Sequence, residues 1–266
     1  MASVEKQPYV TVPGGLPGED PRDKFRYLNI LVTGDYGIGK TTFISTACDD
    51  PRTSPILVLD FEGGADIRFV KKDPKTYTIR KVRSISDFNN IYEYLAKGDH
   101  PYKSVAIDSL TEVQKLGLFE FVYGVNPDKT FRGNVLDIKT AEIQHWGKSL
   151  TQMAMLVRFF RDLPMHVFFT TLSQVIKDEL TGAVSITVAL PGKQADEIPG
   201  IPDIVGYMTV TKPKPGTQEE PRRVMIVQPD GRIKAKDRTD ALGKGVLDPT
   251  VTKVLDLIWQ YYGITE

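Results

Sequence analysis

The run Gly34-Asp35-Tyr36-Gly37-Ile38-Gly39-Lys40-Thr41 has the spacing G-x-x-x-x-G-K-T, in which each residue type suits one task in holding a polyphosphate. Gly34, Gly37 and Gly39 let the backbone turn tightly, so that the N–H groups of the loop, those of Asp35, Tyr36 and Ile38 included, converge on phosphate oxygens. Lys40 has the length and charge to reach the β- and γ-phosphates. The Thr41 hydroxyl is a Mg²⁺ ligand, and Thr42 carries the loop into a helix. The flanks agree with this reading. Tyr27 to Thr33 is an apolar strand run, and Thr42-Phe43-Ile44-Ser45-Thr46-Ala47 continues as a helix. That strand–loop–helix setting separates a phosphate loop from a chance glycine-rich turn, and it predicts a nucleoside triphosphate with Mg²⁺ on residues 34–42.

Two further strand runs end in carboxylates. Ser104-Val105-Ala106-Ile107-Asp108 places Asp108 where it can hold the metal through its water shell, with Ser109 in support, although the same position suits a helix N-cap. Ile56-Leu57-Val58-Leu59-Asp60 leads into Phe61-Glu62-Gly63-Gly64. Hydrolysis needs a group that orients or deprotonates the attacking water. Glu62 is the candidate, because it follows a core strand at the edge of the sheet that carries the phosphate loop. A solvated turn glutamate fits its position equally well.

The elements that must position these groups alternate strand and helix, the pattern of an α/β fold with a mostly parallel sheet. Residues 1–26, rich in Pro and Gly, read as an irregular lead-in, and 27–266 as one domain. A third strand is expected at Thr76–Val82 and a helix over Asp87–Lys97, capped by Ser86 and stopped by Gly98. Gly124 to His145 reads as a long loop, Trp146–Leu163 as an amphipathic helix and Met165–Thr171 as a core strand. Val175–Glu179 and Val184–Leu190 flank a hairpin turn. Ile204–Thr211, Arg223–Gln228 and Arg232–Lys236 read as antiparallel strands extending the sheet. The last helix is expected to start at Pro249 behind an Asp248 cap, to bury Val251, Val254, Leu255 and Ile258, and to stop at Gly263.

Composition narrows the classes. Thirty-four basic residues balance thirty-four acidic ones, so any contact with nucleic acid has to come from a local patch. One cysteine, Cys48, excludes an internal disulfide, and three histidines without ligand spacing argue against zinc. No apolar run approaches the ~18 residues of a membrane span. The expectation is a cytosolic protein with no membrane partner.

Asp60-Phe61-Glu62-Gly63-Gly64 resembles the D-x-E-G segment of the RecA/recombinase family, and Val105-Ala106-Ile107-Asp108-Ser109-Leu110 resembles its Walker B strand. With Leu190-Pro191-Gly192-Lys193 and Lys236-Asp237-Arg238-Thr239 added, residues 27–240 are similar to phage RecA-like ATPases of the single-strand-annealing Sak group. The resemblance implies a RecA-like P-loop NTPase core using ATP and Mg²⁺, with Lys40 and Thr41 as ligands, Glu62 as base and Asp108 as Walker B acid. It places a γ-phosphate sensor at Gln174. The family usually has asparagine before that glutamine where this chain has Ser173, so Thr171 and Ser173 stand as alternatives. It also implies single-stranded DNA binding by residues 124–145 and 175–193, where Lys129, Phe131, Arg132, Lys177 and Lys193 suit phosphates and bases, unless nearby acids make these merely solvated loops. Lys236 and Arg238 resemble the Lys-x-Arg finger that such ATPases insert into a neighbour's site. Alternation puts them on one strand face with Arg232 and Lys234, which also describes a lysine-protected edge strand.

The implied partners are single-stranded DNA, further copies of the chain in a ring or filament, and a single-stranded-DNA-binding helper protein, in the cytosol of a bacterium or a phage-infected host. The implied role is recombination or strand annealing. A ring motor or helicase loader and a non-hydrolysing regulatory module are the competing readings. A GTPase is disfavoured, because Thr211-Lys212-Pro213-Lys214 lacks the aspartate that reads guanine.

Overall fold

The computed structural model describes residues 27–123, 142–179, 182–211 and 220–264. The expected lead-in, 1–26, lies outside them.

Strands β1 (Asn29–Gly34), β2 (Ile56–Asp60) and β4 (Ser104–Asp108) are buried at every position, since both sheet faces are covered. Alternate residues sort to two cores. Leu31, Leu57, Leu59, Val105 and Ile107 meet helices α3 (Ile85–Ala96), α4 (Leu110–Tyr123) and α5 (Ile143–Arg161) on one face. Ile30, Val32, Ile56, Val58 and Ala106 meet α1 (Lys40–Ser45), α2 (Asp66–Phe69) and α7 (Val251–Tyr262) on the other. The phosphate loop and Asp108 belong to the second face.

With β3 (Tyr77–Lys81), β5 (His166–Lys177), β7 (Ile204–Val210), β8 (Arg223–Ile226) and β10 (Gly245–Leu247), the sheet runs β10-β8-β7-β1-β5-β4-β2-β3. From β7 through β3 neighbouring strands are parallel, whereas β8 is antiparallel to β7 and β10 to β8. Off this path, β6 (Val184–Val188) pairs with the far end of β5 and β9 (Lys236–Asp237) with the start of β7, both antiparallel. The chain is therefore α/β, with a mostly parallel central sheet extended by antiparallel strands near its C-terminus.

Parallel register gathers the chemistry at one edge. Gly34 lies opposite Leu172 and Asp60 opposite Asp108, so β1, β2 and β4 end together. β5 continues beyond that edge as Ser173–Lys177, paired there with β6, so the expected core strand and first hairpin strand are one element.

Several boundaries differ from expectation. Ser84, not Ser86, caps α3: its backbone is extended and its hydroxyl accepts from the Asp87 N–H, because the buried Ile85 is drawn into the first turn. Thr250, not Asp248, caps α7, accepting from the Lys253 N–H. Asp248 does not, because its backbone is left-handed rather than extended and its carboxylate is taken by Arg222. α5 starts at Ile143 rather than Trp146. Arg232–Lys236 is not a strand: Ile233 bridges to Ile186 of β6, and only Lys236–Asp237 joins β7, so the segment crosses between two neighbours.

Candidate nucleotide-binding site

β1 delivers the chain into the loop against β7. A Cβ on Gly34 would stand 2.8 Å from the Met208 carbonyl oxygen, so this close passage requires glycine. Gly39 takes a φ of 111°, in the left-handed region, immediately before α1. The Ile38 side chain packs towards the α1/α7 core and pins the loop between the two glycine turns. Tyr36, at the outer bend, is exposed.

Lys40 is buried and its ammonium donates to the carbonyls of Gly34 and Asp35, each at 2.9 Å, which centres it in the loop. Burial lowers its pKa, and the carboxylates of Glu62, Asp108 and Asp35, in that order, pull it back up. Glu62 thus stands within electrostatic reach of the loop lysine.

The Thr41 hydroxyl donates to Asp108 Oδ2 at 2.8 Å, while Thr170 of β5 donates to Oδ1 at 2.5 Å. Burial pushes the Asp108 carboxyl up from its usual range against these two hydroxyl bonds. A buried carboxylate and a hydroxyl oxygen side by side form a hard oxygen donor set that fits Mg²⁺. The helix-cap alternative does not describe Asp108, whose carboxylate is taken by the two threonines. Ser109 turns the other way and donates to Glu62 Oε1 at 2.6 Å. Asp60 shapes the turn that presents Glu62: Oδ1 accepts from the N–H groups of Glu62 at 3.1 Å and Gly63 at 2.7 Å, and Oδ2 from that of Ala65.

Contacts separate the candidate sensor residues. Ser173 donates to Asp35 Oδ1 at 2.6 Å and so touches the phosphate loop, whereas Gln174 donates to the Leu190 carbonyl at 3.0 Å. The structure thus brings Ser173 to the site and not Gln174. Among the described residues, the buried Thr171 hydroxyl has no hydrogen-bond partner.

Lys177 and Lys193 are exposed, the first at the end of β5 and the second before the short helix α6 (Gln194–Glu197). Lys129, Phe131 and Arg132 lie outside the described residues. Lys236 and Arg238 are brought to the opposite edge of the sheet. Lys236 donates to the carbonyls of Pro199 and Gly200, Arg238 to those of Gly200 and Ile201, and Lys234 pairs with Asp196. The expected alternation survives for these three cations, but it faces residues 196–203 of their own chain.

Three contributors were missed in the sequence: Thr170, Lys115 and Arg223. Lys115 of α4 pairs with Glu112 at 2.6 Å and lies within electrostatic reach of Tyr36 and Glu62. Arg223, at the start of β8, donates from Nε to the Ile38 carbonyl at 3.0 Å. Only the last carried a signal, as one of several cations late in the chain.

The loop, the buried lysine and the Thr41–Asp108 pair at the edge of a parallel sheet define a P-loop ATPase-type domain. The family profile described as AAA domain matches residues 26–239, and the chain belongs to that family. No curated protein matches it. Among solved structures it is similar to "a prototypical ATPase from the type III secretion system of pathogenic bacteria", at 15% identity and a TM-score of 0.40, over 68% of this chain. The chain spans about half of that one, 52%. Among the described residues, no helix is long and apolar enough to cross a membrane.

Proposed function

We propose that this chain is a RecA-like ATPase that hydrolyses ATP with Mg²⁺, binds single-stranded DNA and works as a ring or filament in phage-type recombination or strand annealing. One observation carries the hydrolytic part. Glu62 is oriented by Ser109, next in sequence to the Asp108 that meets Thr41, and it stands within electrostatic reach of Lys40. Lys40 and the loop N–H groups bind the phosphates, and Glu62 takes a proton from the water that attacks the terminal one. Thr41 and Asp108 would hold Mg²⁺, which supplies charge neutralisation on the β- and γ-phosphates.

Coupling to DNA rests on β5 and on the resemblance in sequence. The strand meets Asp108 through Thr170 and Asp35 through Ser173, then continues into the β5–β6 hairpin with Lys177 near its tip. A shift at the phosphates has a short, hydrogen-bonded path to that hairpin. In a head-to-tail assembly, the edge bearing Lys236 and Arg238 faces the next subunit's phosphate loop, the arrangement a finger in trans needs.

The test is ATP turnover with and without single-stranded DNA, for wild type and for the combined Lys129→Ala, Arg132→Ala, Lys177→Ala variant. DNA should stimulate the wild type, and the variant should lose stimulation while keeping its nucleotide affinity. Turnover indifferent to DNA in the wild type would leave a motor or loader acting on something else. Tight binding without turnover would leave a regulatory module.

A further inference from the structure

The site contains a second cation that neither the P-loop pattern nor the proposed machinery uses. Arg223 reaches back from β8 and lies against the phosphate loop, where a Cβ built on Gly39 would stand 2.9 Å from its Nε and 3.4 Å from its Cζ. Gly39 precedes Lys40, so the guanidinium lies beside the turn whose N–H groups serve the phosphates. We infer that Arg223 is a nucleotide-binding residue acting in cis, which contacts the polyphosphate with its guanidinium. The inference rests on the nucleotide reading of the loop.

Position is the first support. Arg223 is preorganised: its carbonyl accepts from the Asp248 N–H at 2.7 Å, and the Asp248 carboxylate takes the neighbouring Arg222 at 2.7 Å from Nε. A clamp on both arginines, with Nε anchored on Ile38, holds the planar group against the loop and limits the rotamer entropy lost on binding. Donor accounting is the second support. Arginine offers five N–H donors in a fixed fork, and the Ile38 bond uses one. Among the described residues Arg223 has no carboxylate partner, unlike Arg222 with Asp248 or Lys115 with Glu112. The terminal nitrogens thus retain the fork that matches phosphate oxygens in pairs.

Charge is the third support. Glu62, Asp108 and Asp35 all act on Lys40, so the site carries more acid than the loop lysine neutralises. A triphosphate brings several further negative charges, and an arginine at the loop offsets part of the repulsion. Gly39 then has two reasons to lack a side chain, its left-handed backbone and the guanidinium lying over it.

The experiment is equilibrium binding of fluorescent ATP and ADP, with Mg²⁺, to the full chain, comparing wild type with Arg223→Ala, Arg223→Gln and Arg223→Lys. Melting curves check that each variant folds. Alanine and glutamine should each weaken affinity by about 10- to 100-fold, the scale of a lost charged hydrogen bond, and lysine should recover part of it. Glutamine is the informative variant, because it keeps a donor for the Ile38 carbonyl without the charge. Recovery by glutamine as full as that by lysine would reduce Arg223 to a clamp on the loop and overturn the inference. Wild-type affinity in the alanine variant would overturn it too. If nucleotide binds the wild type and is lost in Lys40→Ala while all Arg223 variants bind normally, the loop reading stands and only this inference falls. Absence of binding to the wild type would remove both.

Discussion

Arg222–Arg223 and Lys234–Lys236–Arg238 are two basic groups from the same late stretch of sequence, yet they end at opposite edges of the sheet. Register decides which goes where. Arg223 pairs with Val210, at the end of β7 that flanks the phosphate loop, whereas Lys236 pairs with Val205 near its start. Arg223 of the first group meets the loop carbonyl of Ile38, while Lys236 and Arg238 of the second are spent on the carbonyls that end the helical turns at 198–201. A count of cations along the chain cannot separate an arginine at a phosphate loop from one that closes its own fold.

Four measurements would break or sharpen that division. The largest effect is expected for Lys40→Ala, which removes the cation at the centre of the loop. Nucleotide affinity should fall by ~10³-fold, about 4 kcal/mol, the scale of two or more charged hydrogen bonds. Affinity like that of the wild type would show that the loop does not hold phosphate.

Glu62→Gln should bind nucleotide normally yet lose roughly 10²-fold or more in turnover, the scale for deleting a positioned general base. Undiminished turnover in single-cycle kinetics would move the role to another carboxylate. Glu112, held by Lys115 on the adjoining helix, is the next to test.

The opposite edge should show itself in stability instead. His166 opens β5, is 3% exposed, and accepts the Leu28 N–H on Nδ1 at 3.1 Å. Burial holds its pKa down at about 4, from an ordinary value of 6.5. Between those values the unfolded chain binds more protons than the folded one. Stability contributed by neutral His166 is therefore complete above about pH 6.5, is lost as pH falls towards 4, and then levels off. Denaturant unfolding should register a loss of up to about 2–3 kcal/mol across that window. His166→Gln should flatten the dependence, and an unchanged slope would assign it to other groups.

The smallest effect is expected for Arg238→Ala in the isolated chain, where its partly exposed bonds to Gly200 and Ile201 contribute about 1 kcal/mol to stability and nothing to nucleotide affinity. Reduced affinity in the monomer would end the separation of the two edges. In an assembly the same variant should lose turnover if it acts as a finger. Mixing it with Lys40→Ala subunits should then restore activity, since an intact loop meets an intact neighbour. Co-assembly without restored activity would leave Arg238 a purely structural residue.

Legibility in the sequence followed the range of the interaction. The phosphate loop and the strands ending at Asp60 and Asp108 are encoded within a few residues, by glycine placement and apolar runs, and each lies where its pattern puts it. Capping was harder wherever two polar residues competed. At Ser84 and Ser86 the burial of Ile85 decided, and at Asp248 and Thr250 the left-handed turn at Asp248 and its bond from Arg222 decided. The choice of Ser173 over Gln174 was not legible, because by parity Gln174 shares a face with Thr170, and only the contact of Ser173 with Asp35, just past the end of β1, decided it.

By itself the sequence determined the α/β class, the phosphate loop and the strand ends that carry Glu62 and Asp108, because local geometry sets strand ends, glycine turns and helix starts. Only the tertiary structure decided that Ser109 turns to Glu62, that Thr170 and Thr41 share Asp108, and that Arg223 rather than Arg238 lies at the loop of its own chain. These contacts join residues far apart in sequence through strand order and register, which no local pattern specifies.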